Sequence, residues 1–161
     1  MVILLIGVSG SGKTTIGRGL ALELNWKFKD ADDFHSDANI EKMRQGISLN
    51  DDDRRPWLQA LRRAIDEALQ TNANLILACS ALKAAYRQVL GEPSEQVKFV
   101  YLKGSFELIE QRLTQRQGHY MKANLLRTQF DALEEPPNAI AVEIDQSPSA
   151  IAQQIKNYLH L

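Results

Sequence analysis

The octapeptide Gly7-Val8-Ser9-Gly10-Ser11-Gly12-Lys13-Thr14 satisfies the pattern G-x4-G-K-[ST] and constrains the chain more than any other feature. It is preceded by the apolar run Val2 to Ile6 and followed by Ile16, Leu20 and Leu24 on one helical stripe, so the motif has the strand-to-helix setting it requires. Glycines at 7, 10 and 12 allow backbone conformations closed to other residues, which lets successive N–H groups turn toward phosphate oxygens at the start of a helix. Residues Gly7, Val8, Ser9, Gly10, Ser11, Gly12, Lys13, Thr14 and Thr15 are therefore the expected ATP-phosphate cradle. Lys13 is expected to bridge the β- and γ-phosphates, and the Thr14 hydroxyl to ligate the accompanying Mg2+.

A strand-turn-helix of this kind belongs in an α/β fold. Apart from Val2 to Gly7, strands are expected at Trp26 to Asp30, Leu75 to Cys79, Val97 to Leu102 and Ile140 to Ile144. Several are nearly continuous apolar runs, as in parallel strands buried on both faces. Helical stripes lie between them. One carries Leu58, Leu61, Ile65 and Leu69, with Pro56 suiting its first turn. A second is expected to be capped by Ser80, to carry Leu82, Tyr86 and Val89, and to stop at Gly91. A third opens at Ser147-Pro148. This alternation implies a layered α/β fold with right-handed crossovers. With 161 residues and no linker-like tract, one domain spanning 1–161 is expected. Ala31 to Arg55 and Gln117 to Ala123 read as irregular segments that cover a substrate.

Composition narrows the function. A net charge of −1 provides no overall basic field, so a nucleic-acid backbone is not the expected partner. The only cysteine, Cys79, cannot close an internal disulfide. The opening apolar run is too short for a membrane span and lacks a charged leader, which gives a cytoplasmic expectation without membrane association. The guanine-contacting N-K-x-D and the D-x-x-G of a GTP-driven switch are absent, and the third strand ends Ala78-Cys79-Ser80 rather than in a Walker-B aspartate. A small-molecule kinase is the reading that remains.

Beyond the phosphate loop the chain resembles the gluconate kinase (gluconokinase) family along nearly its whole length. The resemblance rests on Asp30-Ala31-Asp32-Asp33-Phe34-His35, Asn39 to Met43, Leu49 to Leu58, Cys79-Ser80-Ala81-Leu82-Lys83, Tyr101 to Gly104, Gly118-His119-Tyr120-Met121 and Gln129-Phe130. It departs from the family at Ala31, where glycine is common, and at Ser36, where proline is common; both bear on loop geometry. The resemblance implies a P-loop NTPase of the nucleoside-monophosphate-kinase-like type, a three-layer fold with a five-stranded parallel sheet and a helical lid at about 112–125. It also implies ATP and Mg2+, gluconate as acceptor, 6-phosphogluconate as product, and a homodimer. A kinase for another small hydroxy acid such as shikimate, and a nucleotide-binding regulator without turnover, are the alternatives.

Asp30 and Asp32 are two apart at the end of a strand, a spacing that points both to one side in extended backbone. Asp30 is expected to serve the metal site, and Asp32 to accept or orient the proton of the attacking hydroxyl. Asp33 has the opposite parity. Arg54, in an element matching the family's D-R-x-P-W-L, is the expected contact for a carboxylate, with His35, Lys83 and His119 as further substrate ligands. Trp57 reads as a core anchor. Arg112 and Arg116, four apart on a helix, are the expected clamp on the transferred phosphoryl.

Overall fold

The computed structural model describes residues 1–115 and 123–161. Its sheet holds β1 (Val2–Ile6), β2 (Lys27–Asp30), β3 (Leu75–Ala78), β4 (Val97–Lys103) and β5 (Ile140–Glu143), all parallel, in the order β2-β3-β1-β4-β5. All five expected strands are present, each within a residue or so of its expected bounds. The helices are α1 (Lys13–Leu24), α2 (Asp37–Arg44), α3 (Asp51–Gln70), α4 (Ala84–Leu90), α5 (Phe106–Gln115), α6 (Ala123–Ala132) and α7 (Pro148–Leu159).

The alternation along β1 builds the layers. Ile3 and Leu5 face one side, where they meet Ile16 and Leu20 of α1, Ile109 of α5, and Ile151 and Ile155 of α7. Val2, Leu4 and Ile6 face the other, against Trp57, Leu58, Leu61 and Ile65 of α3 and Leu90 of α4. All five β1 residues are fully buried, so the central strand must be apolar on both faces. β2, at an edge, is correspondingly the charged one, Lys-Phe-Lys-Asp. Because chain order and spatial order diverge around β1, its carboxyl end opens at a switch point, where α/β sheets bind ligands.

Three local expectations need correction. Ala31 to Arg55 is mostly helical: a 3-10 turn over Ala31–Phe34, then α2, then the start of α3. Pro56 does not begin α3, which starts five residues earlier on a reciprocal cap between Asn50 and Asp53. Pro56 sits one turn inside, where it leaves the Asp52 carbonyl without its helical N–H. Ser80 does not cap α4. Its carbonyl instead accepts the Gly7 N–H at 3.3 Å, and α4 begins only after Lys83. Gly91 ends α4 and Ser147 caps α7 through the Ala150 N–H, both as expected.

Candidate active site

The phosphate loop leaves β1 and wraps the N-terminus of α1. Gly10 shows why its glycines are needed. Its φ is +81°, and a Cβ there would stand 2.9 Å from the Leu113 side chain of α5. Gly12, with φ +98° and ψ 12°, is the left-handed residue from which α1 starts. Lys13 turns back over the loop, its Nζ donating to the carbonyls of Gly7 at 2.9 Å and Val8 at 3.0 Å. Burial lowers its pKa, while Cys79, Asp32 and Asp30 oppose that effect. The ammonium is thus held at the loop mouth, aligned for an anion.

Asp30 closes the other side. One of its carboxylate oxygens accepts the Thr14 hydroxyl at 2.8 Å, and the other accepts the Asp32 N–H at 3.0 Å. Asp32 therefore lies in the 3-10 turn capped by Asp30, not in extended backbone, and the two-residue parity expected from the sequence does not apply. Both carboxylates nevertheless line one cavity of about 360 Å³ with Ser9, Gly10, Gly12, Lys13 and Thr14. The turn replaces the pleat as the device that brings them together. Asp32 has its pKa raised by desolvation in the cleft and by Asp30, with Lys13 and His35 pulling the other way. Asp33 is exposed and does not line the cavity. Thr14 and Asp30 present two adjacent oxygen donors beside the phosphate loop, the hard ligand set that suits Mg2+.

The turn is pinned from below by Trp57, whose Nε1 donates to the Ala31 carbonyl at 2.7 Å. The same indole stacks on His35, with centroids 4.4 Å apart and planes 9° from parallel. Burial lowers the His35 pKa and Arg54 adds to that, against the pull of Asp32, so the ring is neutral at pH 7. The Asn39 side chain reaches both the Asp53 carbonyl, at 2.8 Å, and His35 Nδ1, at 3.4 Å.

Arg54 projects from the first turns of α3, and its Nη1 donates to the Tyr86 hydroxyl at 3.2 Å, which in turn donates to Asp51 at 3.0 Å. Arg54 and Lys83 both lie over the Tyr86 ring, at 5.5 and 5.7 Å from its centroid. Two cations thus share one aromatic platform, and Arg54 also stands 3.9 Å from the Asp51 carboxylate. Tyr86 was not recognised as a site residue from the sequence, where it reads only as a member of an apolar stripe. Arg87 is a second omission. Its buried guanidinium donates to the Ala81 and Leu82 carbonyls at 2.8 and 3.0 Å, holding the segment in which Ala81 has φ +41°.

Arg112 is placed away from the carboxylates. It donates to the Ile144 carbonyl and lines a separate cavity of about 330 Å³ with Gly12, Thr15, Gln146 and Pro148, on the other flank of the phosphate loop. α5 aims the side chain at the loop following β5. Arg116, His119 and the expected lid tip at Gly118 to Tyr120 lie outside the described residues. Cys79 is buried at the end of β3, and burial pushes its thiol up to about 12, consistent with a packed small residue.

A phosphate loop on the central strand of a five-stranded parallel sheet, faced across one cleft by a carboxylate pair, defines a P-loop kinase fold. The family model for shikimate kinase matches residues 9–160. The thermoresistant gluconokinase of Escherichia coli (strain K12) is 46% identical over 149 residues, covering 90% of this chain and 85% of that protein. The crystal structure of a gluconokinase from Sinorhizobium meliloti 1021 superimposes with a TM-score of 0.84 at 37% identity, covering 99% of this chain and 91% of that one. Shikimate kinase from Aquifex aeolicus, at 22% identity and a TM-score of 0.61, shares the fold, with 99% of this chain and 96% of that chain covered. The chain belongs to the gluconokinase family.

Proposed function

We propose that this chain transfers the γ-phosphoryl group of ATP to D-gluconate, giving 6-phospho-D-gluconate and ADP. The observation that carries the reading is the single cavity shared by Lys13, Asp30 and Asp32, in a chain 46% identical to a gluconokinase. The amides that follow Gly10 receive the phosphates, and Lys13 leaves the Gly7 and Val8 carbonyls to bridge the β- and γ-oxygens. Thr14 and Asp30 hold Mg2+, which neutralises phosphate charge when bound.

Asp32 accepts the proton of the attacking gluconate hydroxyl as the new P–O bond forms and the bond to the β-phosphate oxygen breaks. Its raised pKa makes it a better proton acceptor than an ordinary aspartate. The gluconate carboxylate pairs with Arg54, with Lys83 adding charge across the Tyr86 platform. Neutral His35 contributes hydrogen bonds to hydroxyls. Arg112, flanking the second cavity beside Gln146 and Pro148, contacts the nucleotide rather than the transferred phosphoryl. Arg116 is assigned to the transferred phosphoryl and His119 to the substrate. The domain works in the cytoplasm as a homodimer, a setting that suits its lone buried thiol.

ADP release should be measured with ATP, Mg2+ and a panel of acceptors. Gluconate is expected to stimulate it, whereas shikimate and nucleoside monophosphates do not. Equal stimulation by shikimate, or none by gluconate, overturns the reading.

A further inference from the structure

Gln129 reaches back along 120 residues of chain to the phosphate loop. Its Oε1 accepts the Ser9 N–H at 2.7 Å, and its Nε2 donates to the Ser9 hydroxyl oxygen at 2.9 Å. The two bonds fix the amide's orientation, because only its oxygen can face a backbone N–H. α6, which carries Gln129, is also anchored on α5. Leu126 is buried in the same cluster as Val8, Ile109 and Leu113, and Phe130 meets Phe106 of α5 edge-on at 5.5 Å. Arg127 lies over that same Phe106 ring at 4.6 Å. A helix packed on α5 therefore presents a neutral amide to the one loop residue between Val8 and Gly10.

We propose that Gln129 is a positioning residue for the nucleotide. It fixes the first half of the phosphate loop and withdraws the Ser9 amide from phosphate binding, so that the phosphates are taken by the amides further along. The pair also ties the loop to α6, which begins at Ala123. The amide suits the task better than a carboxylate would. A glutamate could accept from both the N–H and the hydroxyl of Ser9, but it would set a negative charge beside the phosphates.

The inference rests on the kinase reading only through nucleotide binding, so ADP with Mg2+ is titrated by calorimetry in the absence of any acceptor. Failure here is then distinct from failure of the gluconate assignment. Loss of two neutral hydrogen bonds in Gln129→Ala should weaken ADP binding about tenfold. Ser9→Ala, which removes only the hydroxyl half, should weaken it about threefold. The double variant should be no weaker than Gln129→Ala alone, as befits one shared contact. Gln129→Glu keeps the geometry and should weaken ADP at least as much as Gln129→Ala, less so as salt is raised. In steady state the Gln129 variants should raise KM for ATP while KM for the acceptor stays within about twofold, a split that general loss of structure would not give. ADP affinity within twofold of the parent in both Gln129 variants, or additive losses in the double variant, overturns the proposal. If Gln129→Ala does not fold, Gln129→Glu decides alone, and unchanged ADP affinity refutes it.

Discussion

Trp57→Phe removes one atom group that links the core to the site. The indole is 8% exposed, and its N–H donates to the carbonyl of Ala31, itself 2% exposed, at 2.7 Å. Phenylalanine retains an aromatic ring against His35 but cannot donate. The Ala31 carbonyl is then buried without its partner, which costs about 1–3 kcal/mol. The smaller side chain leaves a further void at the outer end of the indole site, and for a large-to-smaller core change the cavity contribution is about 1 kcal/mol. The sum, about 2–4 kcal/mol, is a large share of the 5–15 kcal/mol typical of a domain. Ala31 lies between Asp30 and Asp32, so the damage is also functional: the 3-10 turn loses its floor, and the proton acceptor loses its fixed place. Urea denaturation should show a lower midpoint with an unchanged slope. Under folding conditions kcat for gluconate should fall while ADP affinity, set by the phosphate loop, remains close to the parent value. A stability change below about 0.5 kcal/mol, or an ADP affinity lost in step with kcat, would refute the argument that this hydrogen bond supports the turn.

Asp32→Asn should lower kcat by at least about a hundredfold, with ADP affinity retained; near-normal turnover, or a larger loss in Asp33→Asn, would place the acceptor elsewhere. The same variant has a pH-dependent stability signature. Because folding raises the Asp32 pKa, ionisation opposes folding, so the parent loses stability as pH rises through that pKa. Asp32→Asn should therefore melt higher than the parent near pH 7, and the difference should vanish as pH falls below the ordinary aspartate range. Arg54→Ala should chiefly raise KM for gluconate, from its place beside Tyr86, and Arg112→Ala chiefly KM for ATP, from the cavity it lines beside the phosphate loop; identical patterns in the two variants would remove the distinction. With its thiol pushed up to about 12 and buried, Cys79 should resist alkylation by iodoacetamide at pH 8 in the folded protein and react only on unfolding.

The elements legible in the sequence are those whose physics is local. The phosphate loop is written in contiguous residues, because its glycines serve backbone conformations at their own positions. The strands announce themselves because β1 and β3 are buried on both faces along their whole length and β4 along most of it, which demands apolar residues at those positions. Ser147 and Gly91 mark helix ends for similarly local reasons. Expectations failed where a neighbour distant in sequence decided the outcome. Ser80 has the chemistry of a cap, yet the approach of Gly7 and the buried Arg87 hold residues 80–82 outside the helix. Asp30 and Asp32 were paired correctly by a parity argument that does not apply, since Trp57 and the Asp30 carboxylate fold that segment into a 3-10 turn. Arg112 could be put on a helix face from spacing alone, but which cavity that face addresses depends on how α5 packs against the loop after β5. The Gln129 contact with Ser9 crosses 120 residues, and no periodicity within either segment encodes it. The sequence by itself thus determined the phosphate site and the strand-helix alternation, whereas only the tertiary structure decided which side chains meet across the cleft, because those contacts depend on the relative placement of elements far apart along the chain.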